Sequence, residues 1–286
     1  MTIIDGGVSG PPDTDLAGGL GGVALAAAWA GREAIAAALA GGGLRTDTKS
    51  AAHDLVTTAD RAAEAAVLEV LRRLRPDDSV LGEETGVHTG STAVRWLVDP
   101  LDGTVNFVYG RAGWAVSVGA EVDGRPVAGA VVCPADGRWA VTDGSAVRYG
   151  GFEATDGRVM TPRPPQAIGA DRIALSDALV SLGYPYGLLK RERTLAAVQR
   201  LVGRIRGLRL TGGAASELLG LAGGDCDGFV SFDLEPWDTA AGAALVLACG
   251  GTVRWERAGS GMAVVIAART EELAAELATW ATAPPD

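Results

Sequence analysis

Three acidic patches fall where the chain changes direction. Gly82-Glu83-Glu84 follows a short apolar run. Trp96-Leu97-Val98-Asp99-Pro100-Leu101-Asp102-Gly103-Thr104 leads an apolar strand into two aspartates and a turn, and Pro236-Trp237-Asp238-Thr239-Ala240-Ala241-Gly242 places an aspartate at the opening of an apolar helix. Ends of strands and starts of helices are where open α/β sheets assemble their sites. Taken singly, each patch has a plainer reading: Asp102 and Asp238 as N-caps of their own helices, worth about 1 kcal/mol each, and Glu83-Glu84 as a solvated turn. Taken together those readings weaken, because carboxylates buried in one cluster repel one another unless cations neutralise them. The patches hold no neighbouring Cys or His, and His53 and His88 are the chain's two histidines, too few for a zinc or iron site. Mg²⁺ suits such hard oxygen ligands, held by a few carboxylates, waters and substrate phosphate. The Asp99-x-x-Asp102 spacing lets two side chains bracket an ion while the Leu101 carbonyl adds an oxygen. The amides of Gly103 and Thr104 then stand at a helix start, where phosphate binds readily. That combination describes hydrolysis of a phosphate ester, and no Ser-His or Cys-His arrangement suggests a covalent intermediate.

Asp99-Pro100-Leu101-Asp102-Gly103-Thr104-Val105-Asn106-Phe107 resembles the D-P-[IL]-D-G-T-x-N-F signature of the inositol monophosphatase family. Trp237-Asp238-Thr239-Ala240-Ala241-Gly242 resembles its W-D-x-A-A-G signature, and Gly82-Glu83-Glu84 its G-E-E turn. Asp54-Leu55-Val56-Thr57-Thr58-Ala59-Asp60 resembles its D-L-V-T-x-x-D segment, and Lys49 stands where the family often has a lysine. The likeness runs over residues 23 to 282. It implies an αβαβα layered sandwich of mixed α/β class and Mg²⁺-dependent hydrolysis of a phosphate monoester, with inhibition by Li⁺ and a homodimeric assembly. Carried over by position, it implies that Glu83, Asp99 and the Leu101 carbonyl hold one ion and that Asp99, Asp102 and Asp238 hold a second. Glu83 would help with a looser third ion, and Glu84 is a further candidate at that turn. Asp60 and Thr104 would activate the attacking water, with Glu83 also counted among the catalytic groups. Gly103, Thr104, Gly213 and Ala214, with Asp102 and Asp238, would line the phosphate and substrate side. Chemically, Thr104 needs a hydrogen bond to Asp60, because a hydroxyl alone is a poor base.

Two positions depart from the family pattern. An acidic residue that commonly stands seven places before the second-signature aspartate is here Ser231, with Asp233 and Glu235 nearby. The stretch Asp143 to Gln166 lacks the usual G-x-G-A-x-x-N-G pattern, and Gly150-Gly151-Phe152 is only an echo of it. Inositol phosphates, nucleotides, histidinol phosphate and sugar phosphates all remain open as substrates. The alternative is a catalytically inactive relative that binds a phosphorylated ligand or a protein partner.

The elements that must position these residues follow from pattern. Helices are expected at Val23 to Leu39, Thr58 to Arg73, Leu175 to Leu182, Arg193 to Val202, Ala214 to Ala222, Asp238 to Cys249 and Glu271 to Thr282. Strands are expected around Ser79 to Leu81, Trp96 to Val98, Ala115 to Val118, Val127 to Cys133, Arg206 to Leu210, Gly228 to Ser231, Thr252 to Trp255 and Ala263 to Ala267, with a hairpin turn at Asp123-Gly124. Residues 1–22 are expected to be a flexible tail. Residues 23–286 would form one domain whose halves meet near residue 166. The segment Asp143 to Gln166 is left as a mobile loop or a sheet rim.

The chain has 286 residues, with 35 Asp+Glu against 25 Lys+Arg, for a net charge of −10. A surface that neutralises nucleic-acid phosphates is not expected from that balance. Three scattered cysteines suggest free thiols in a reducing compartment. The apolar run Gly242 to Cys249 is far short of the roughly 20 residues that span a bilayer, and the N-terminus lacks a signal-peptide pattern. A cytoplasmic location without membrane attachment is expected. Gly19-Leu20-Gly21-Gly22-Val23-Ala24 fits a dinucleotide-binding fingerprint in letters, but no strand is expected before it.

Overall fold

A computed structural model describes residues 2–5, 19–41, 46–48, 55–152, 154, 172–183, 188–258 and 261–283. Strand β1 (Thr2–Asp5) precedes the helix α1 (Leu20–Ala40), and β2 (Thr46–Thr48) pairs with β3 (Leu55–Thr57) as an antiparallel ribbon that feeds α2 (Thr58–Leu74). There follow β4 (Ser79–Gly82), β5 (Gly86–His88), β6 (Val94–Asp102), the short α3 (Thr104–Val108), β7 (Ala115–Val122), β8 (Arg125–Cys133), β9 (Arg138–Thr142) and β10 (Ala146–Gly151). The described strands form a large sheet in the order β1-β10-β9-β8-β7-β6-β4-β5. The second half contributes β11 (Leu179–Leu182), α4 (Leu188–Val202), β12 (Gly207–Arg209), α5 (Ala214–Gly223), β13 (Gly228–Phe232), α6 (Pro236–Ala248), β14 (Thr252–Arg257), β15 (Ala263–Ala268) and α7 (Glu271–Thr282). Its strands form a smaller sheet in the order β12-β11-β13-β15-β14.

The layers are those of an αβαβα sandwich. Helices α1 and α2 cover the outer face of the large sheet, where Ala24, Ala28, Val67 and Leu71 meet Val116 and Val118. Helices α5 and α6 lie between the sheets, with Leu218, Leu221, Ala241 and Leu245 packed among Ala115, Val131, Phe229 and Val265. Helix α7 closes the far face of the small sheet through Leu273, Leu277 and Trp280 against Val230 and Ile266.

The central layer is unusually tight because both surfaces are small. A Cβ at Gly119 of β7 would stand 2.7 Å from the Ala241 nitrogen, and one at Gly129 of β8 would stand 2.6 Å from the Ala241 Cα. The Ala-Ala-Gly run of α6 therefore rests backbone-to-backbone on the large sheet, which sets how far the start of α6 lies from the end of β6.

Several expectations need correction. Thr2–Asp5, read as part of a flexible tail, is a β-branched run that pairs in parallel with β10. Helix α1 starts at Leu20, inside the expected tail, because Gly21 lets the helix lie on β9: a Cβ there would stand 2.7 Å from the Thr142 carbonyl oxygen. This helix, not Gly242 to Cys249, is the long apolar segment. Among the described residues it is the one helix long and apolar enough to cross a membrane, and its Val23, Leu25, Ala27 and Ile35 are spent in the core. Leu175 to Leu182 is not a helix but a 3-10 turn at Leu175–Asp177 followed by β11, a parallel strand held between β12 and β13. A strand covered on both faces shows a continuous apolar run, which periodicity does not separate from a helix. Within Asp143 to Gln166, residues 146–151 are β10, one strand in from the edge strand β1, while 153 and 155–166 lie outside the described residues. The Asp123-Gly124 hairpin is as expected, with positive φ at both residues (52° and 73°) joining β7 to β8.

Replacing Gly129 by Ala should lower stability by about 1–3 kcal/mol, the usual range for overpacking a dense interior. Urea unfolding measures this, and an unchanged midpoint would show that α6 does not rest on β8 as described.

Candidate active site

The site is built where β6 ends. Its pairing with β7 runs in register to Asp99↔Ser117 and resumes only at Asp102↔Ala115. Pro100 has no N–H to give a ladder, so an interruption here is expected of the sequence. Gly103 then turns the chain with φ 84°, and a Cβ there would also meet the Gly113 carbonyl oxygen at 2.7 Å. The hydroxyl of Thr104, the first residue of α3, stands 3.3 Å from Asp60 Oδ1 and 3.1 Å from the Leu101 carbonyl, two alternative acceptors for its one proton.

Asp60 sits at the third position of α2. Its Oδ2 accepts from the Thr57 amide at 2.8 Å and from the Thr57 hydroxyl, so the residue that reaches Thr104 also caps its own helix. The expected Asp60–Thr104 pair is therefore present. Burial pushes the Asp60 carboxyl up, the Thr57 hydrogen bonds oppose this, and the nearby Glu83 charge adds to the rise.

Asp99, Asp102, Asp238 and Glu83 converge. Asp99 Oδ1 accepts from the Leu101 amide at 3.0 Å, and Asp238 Oδ2 accepts from the Glu235 amide at 2.8 Å. Asp102 does not cap its own helix α3. It accepts instead from the Ala214 amide at 3.1 Å and the Ala215 amide at 2.6 Å, so it caps α5 in the second half of the chain. Asp238 is likewise not the N-cap of α6, a place taken by Glu235. Each aspartate thus has an oxygen fixed by backbone amides of its own or a neighbouring segment.

Like charges at close range then act on one another. Asp99 is held well above the usual carboxylate range by burial first and next by the charges of Glu83, Asp102 and Asp238. Asp238 is raised by burial, then by Asp102, with Glu83 adding to it. Asp102 is pushed up to about 7 by burial, although the Ala215 and Ala214 amides pull the other way. Among the described residues, no three Asp, Glu, His or Cys side chains already close into a finished coordination sphere. The charges of Glu83, Asp99, Asp102 and Asp238 nevertheless act on one another across the end of β6. Oxygen donors of one sign, with no imidazole or thiolate in the set, fit a hard divalent cation.

The remaining expected residues divide. Glu84 lies in the same turn as Glu83, and the Glu83 amide donates to the Val98 carbonyl at 3.1 Å, which docks that turn on β6. The amides of Gly213 and Ala214, expected on the substrate side, are engaged internally: Gly213 donates to the Gly113 carbonyl at 2.9 Å and Ala214 to Asp102. A Cβ at Gly213 would stand 2.4 Å from Asp102 Oδ2, so this glycine admits the carboxylate. Ser231 is fully buried on β13 beside Gly183, and its hydroxyl has no hydrogen-bond partner among the described residues. Of the nearby acids, Asp233 accepts from the Ala263 amide and Glu235 caps the start of α6. Lys49 lies outside the described residues.

Three residues that sequence reasoning did not single out hold this arrangement together. Asn106 Nδ2 reaches the carbonyls of Ala112, Gly113 and Thr211 at 2.8, 3.2 and 2.6 Å, tying α3 to the loop before α5. Glu217, buried in α5, accepts from the Thr211 amide at 2.8 Å and from the hydroxyls of Thr211 and Ser181. Glu64, on the inward face of α2, reaches the turn that carries Glu83. The signal in sequence was a charged residue on an otherwise apolar helix face, Ala63 and Val67 flanking Glu64.

A family model described as the inositol monophosphatase family matches residues 20–281. The chain belongs to that family. It is a phosphoric monoester hydrolase by that membership. It is 38% identical over 227 residues to an inositol-1-monophosphatase SuhB of Mycobacterium tuberculosis, covering 77% of this chain and 76% of that protein. It is 35% identical over 208 residues to a protein of Pseudomonas aeruginosa named Nus factor SuhB, covering 71% and 72%. Among solved structures it resembles the extragenic suppressor protein suhB of Bartonella henselae, with a TM-score of 0.73, 29% identity and coverage of 90% and 95%. The αβαβα arrangement is thus the family's fold.

The acidic cluster predicts a pH dependence. A carboxyl whose folded pKa is raised binds more protons folded than unfolded, so metal-free stability falls as pH climbs between the two values. For Asp102 that window runs from 3.8 to about 7. The rise in Tm produced by excess Mg²⁺ over EDTA should therefore be larger at pH 8 than at pH 5. An increment that does not grow with pH would contradict this.

Proposed function

We propose that this chain hydrolyses a phosphate monoester of a small metabolite, with Mg²⁺ held by the cluster at the end of β6. The observation that carries this reading is the meeting of Asp99, Asp102, Asp238 and Glu83, beside a hydroxyl–carboxylate pair, Thr104 and Asp60. Glu83, Asp99 and the Leu101 carbonyl would hold one ion, Asp99, Asp102 and Asp238 a second, and Glu83 a looser third. Bound there, divalent ions supply charge neutralisation for the phosphoryl oxygens and acidify the attacking water.

The chain's own groups supply the rest. Thr104 donates its proton toward Asp60 and leaves its oxygen lone pairs to accept from a water. Asp60 orients that hydroxyl because its other oxygen is fixed by Thr57. The amides of Gly103 and Thr104 lie at the start of α3 to receive phosphate oxygens. Asn106 keeps the Gly113 and Gly213 strands of chain together around Asp102.

The names of the curated relatives make inositol 1-phosphate the first substrate to test. Ser231 offers no carboxylate where the family commonly has one, so nucleotides, histidinol phosphate and sugar phosphates belong in the same panel. A relative that only binds would have no need of a complete acid set, and the presence of all six polar groups favours turnover. Three buried free thiols, Cys133, Cys226 and Cys249, fit a reducing compartment, and we propose a cytoplasmic homodimer.

Phosphate release from this panel with and without Mg²⁺ tests the reading. Release should require Mg²⁺ and fall by more than about a hundredfold in Asp99→Asn, as expected when several kcal/mol of charge stabilisation are lost. Turnover that survives in that variant or without a divalent ion would overturn it. Asp60→Asn and Thr104→Ala should lower kcat by roughly 10²–10⁴, the usual worth of positioned proton transfer, with KM little changed. Steady-state kinetics decides, and a loss confined to KM would remove the pair from the chemistry.

A further inference from the structure

We infer that Glu64 is a positioning residue that aims Glu83 into the acidic cluster, an inference that rests on the metal-dependent reading above. Glu64 is almost wholly buried on α2. A carboxylate out of water is costly unless its oxygens are satisfied. Here Oε2 accepts from the Glu84 amide at 2.8 Å, while Oε1 accepts from the Thr85 amide at 2.8 Å and the Thr85 hydroxyl at 2.5 Å. Three donors to one carboxylate, all from consecutive residues of one turn, make a rigid clamp, because charge-assisted hydrogen bonds are short and strong.

The clamp grips the turn directly behind Glu83. On its other side the Glu83 amide is fixed to the Val98 carbonyl, one residue before Asp99. The turn is therefore held between β6 and α2, which leaves the Glu83 carboxylate close enough to Asp99, Asp102 and Asp238 for their charges to act on one another. Gly82 completes the fit. A Cβ there would stand 2.5 Å from Glu64 Oε1, so the glycine that opens the Gly-Glu-Glu turn is the residue that admits the clamp.

Asp60 and Glu64 stand one helical turn apart on α2 and face the same way. One reaches Thr104 and the other the Glu83 turn. A single rigid helix face thereby sets the separation between the water-activating pair and a cation ligand. A turn cap needed only for folding would require no such coincidence with Asp60.

Binding of Mn²⁺ alone, followed through the free-ion electron paramagnetic resonance signal, tests the inference in the full-length protein. Glu83→Gln, Glu64→Gln and Thr85→Val are compared with Glu69→Gln, an exposed position on the same helix. Loss of a ligand-supporting hydrogen-bond partner typically weakens metal binding about 10- to 100-fold. Glu64→Gln should weaken Mn²⁺ binding by about tenfold on that scale, with faster hydrogen exchange at the Glu84 and Thr85 amides. Thr85→Val should move affinity in the same direction by less, and Glu69→Gln should leave it unchanged. The Mg²⁺ concentration for half-maximal activity should rise in step while KM for the phosphate ester holds. If Glu83→Gln weakens Mn²⁺ binding but Glu64→Gln only lowers Tm, Glu64 is a structural cap and the inference fails while the metal reading stands. If Glu83→Gln itself binds Mn²⁺ normally, Glu83 is no ligand and the inference fails, while the ion held by Asp99, Asp102 and Asp238 is untouched. Should Glu64→Gln not fold, normal Mn²⁺ affinity in Thr85→Val overturns the inference.

Discussion

Carboxylates of like charge packed at one point set the terms for the rest of this molecule. Burial disfavours the charged form of each, and each disfavours the charged form of its neighbours. Asp99 and Asp238 are both driven well above the ordinary range for these reasons, and Asp102 to about 7. Such a cluster is tolerable when protonated or when it holds cations, and the proposed chemistry needs the second condition. The fold must therefore hold repelling groups together while keeping oxygens available.

Among the described residues it does so with backbone amides and close backbone contacts. Asp102 is secured by the start of α5, Asp99 by Leu101 and Asp238 by Glu235. These amides offset part of the cost of burial without cancelling the negative charge that a cation would meet. Helix α6 brings Asp238 to β6 because Gly119 and Gly129 leave its Ala240–Ala241 backbone nothing to collide with. The two halves of the chain meet at the cluster, with Asp102 and Asn106 reaching across to Ala214, Ala215 and Thr211. Packing between the sheets is in this sense part of the site.

Much of this was legible in the residues. The acidic patches stand at element ends, and Asp60 proved to lie against Thr104 as the chemistry required. The layered fold followed from the family resemblance, and the Asp123-Gly124 hairpin from its turn residues. What escaped reading was mostly tertiary. Asp102 looked like a local helix cap, and only the arrival of α5 shows which amides it serves. Gly213 and Ala214 were placed on the substrate side by the family resemblance, and only the tertiary structure shows that their amides are engaged by Gly113 and Asp102. Leu175 to Leu182 carried an apolar pattern common to buried helices and buried strands. Thr2–Asp5 gains its place from pairing with β10, which its own four residues cannot announce.

Ionisation coupled to cation binding probes the central point without reference to any substrate. Mg²⁺ is titrated calorimetrically into the metal-free protein near pH 6 in buffers of different ionisation enthalpy, which gives the number of protons released per chain. If the cluster is held protonated by burial and mutual repulsion, cations must displace those protons, and release should be clearly positive at pH 6 and diminish above pH 8. Binding of Mg²⁺ with no proton release at pH 6 would mean that the carboxylates are already ionised and do not constrain one another as described.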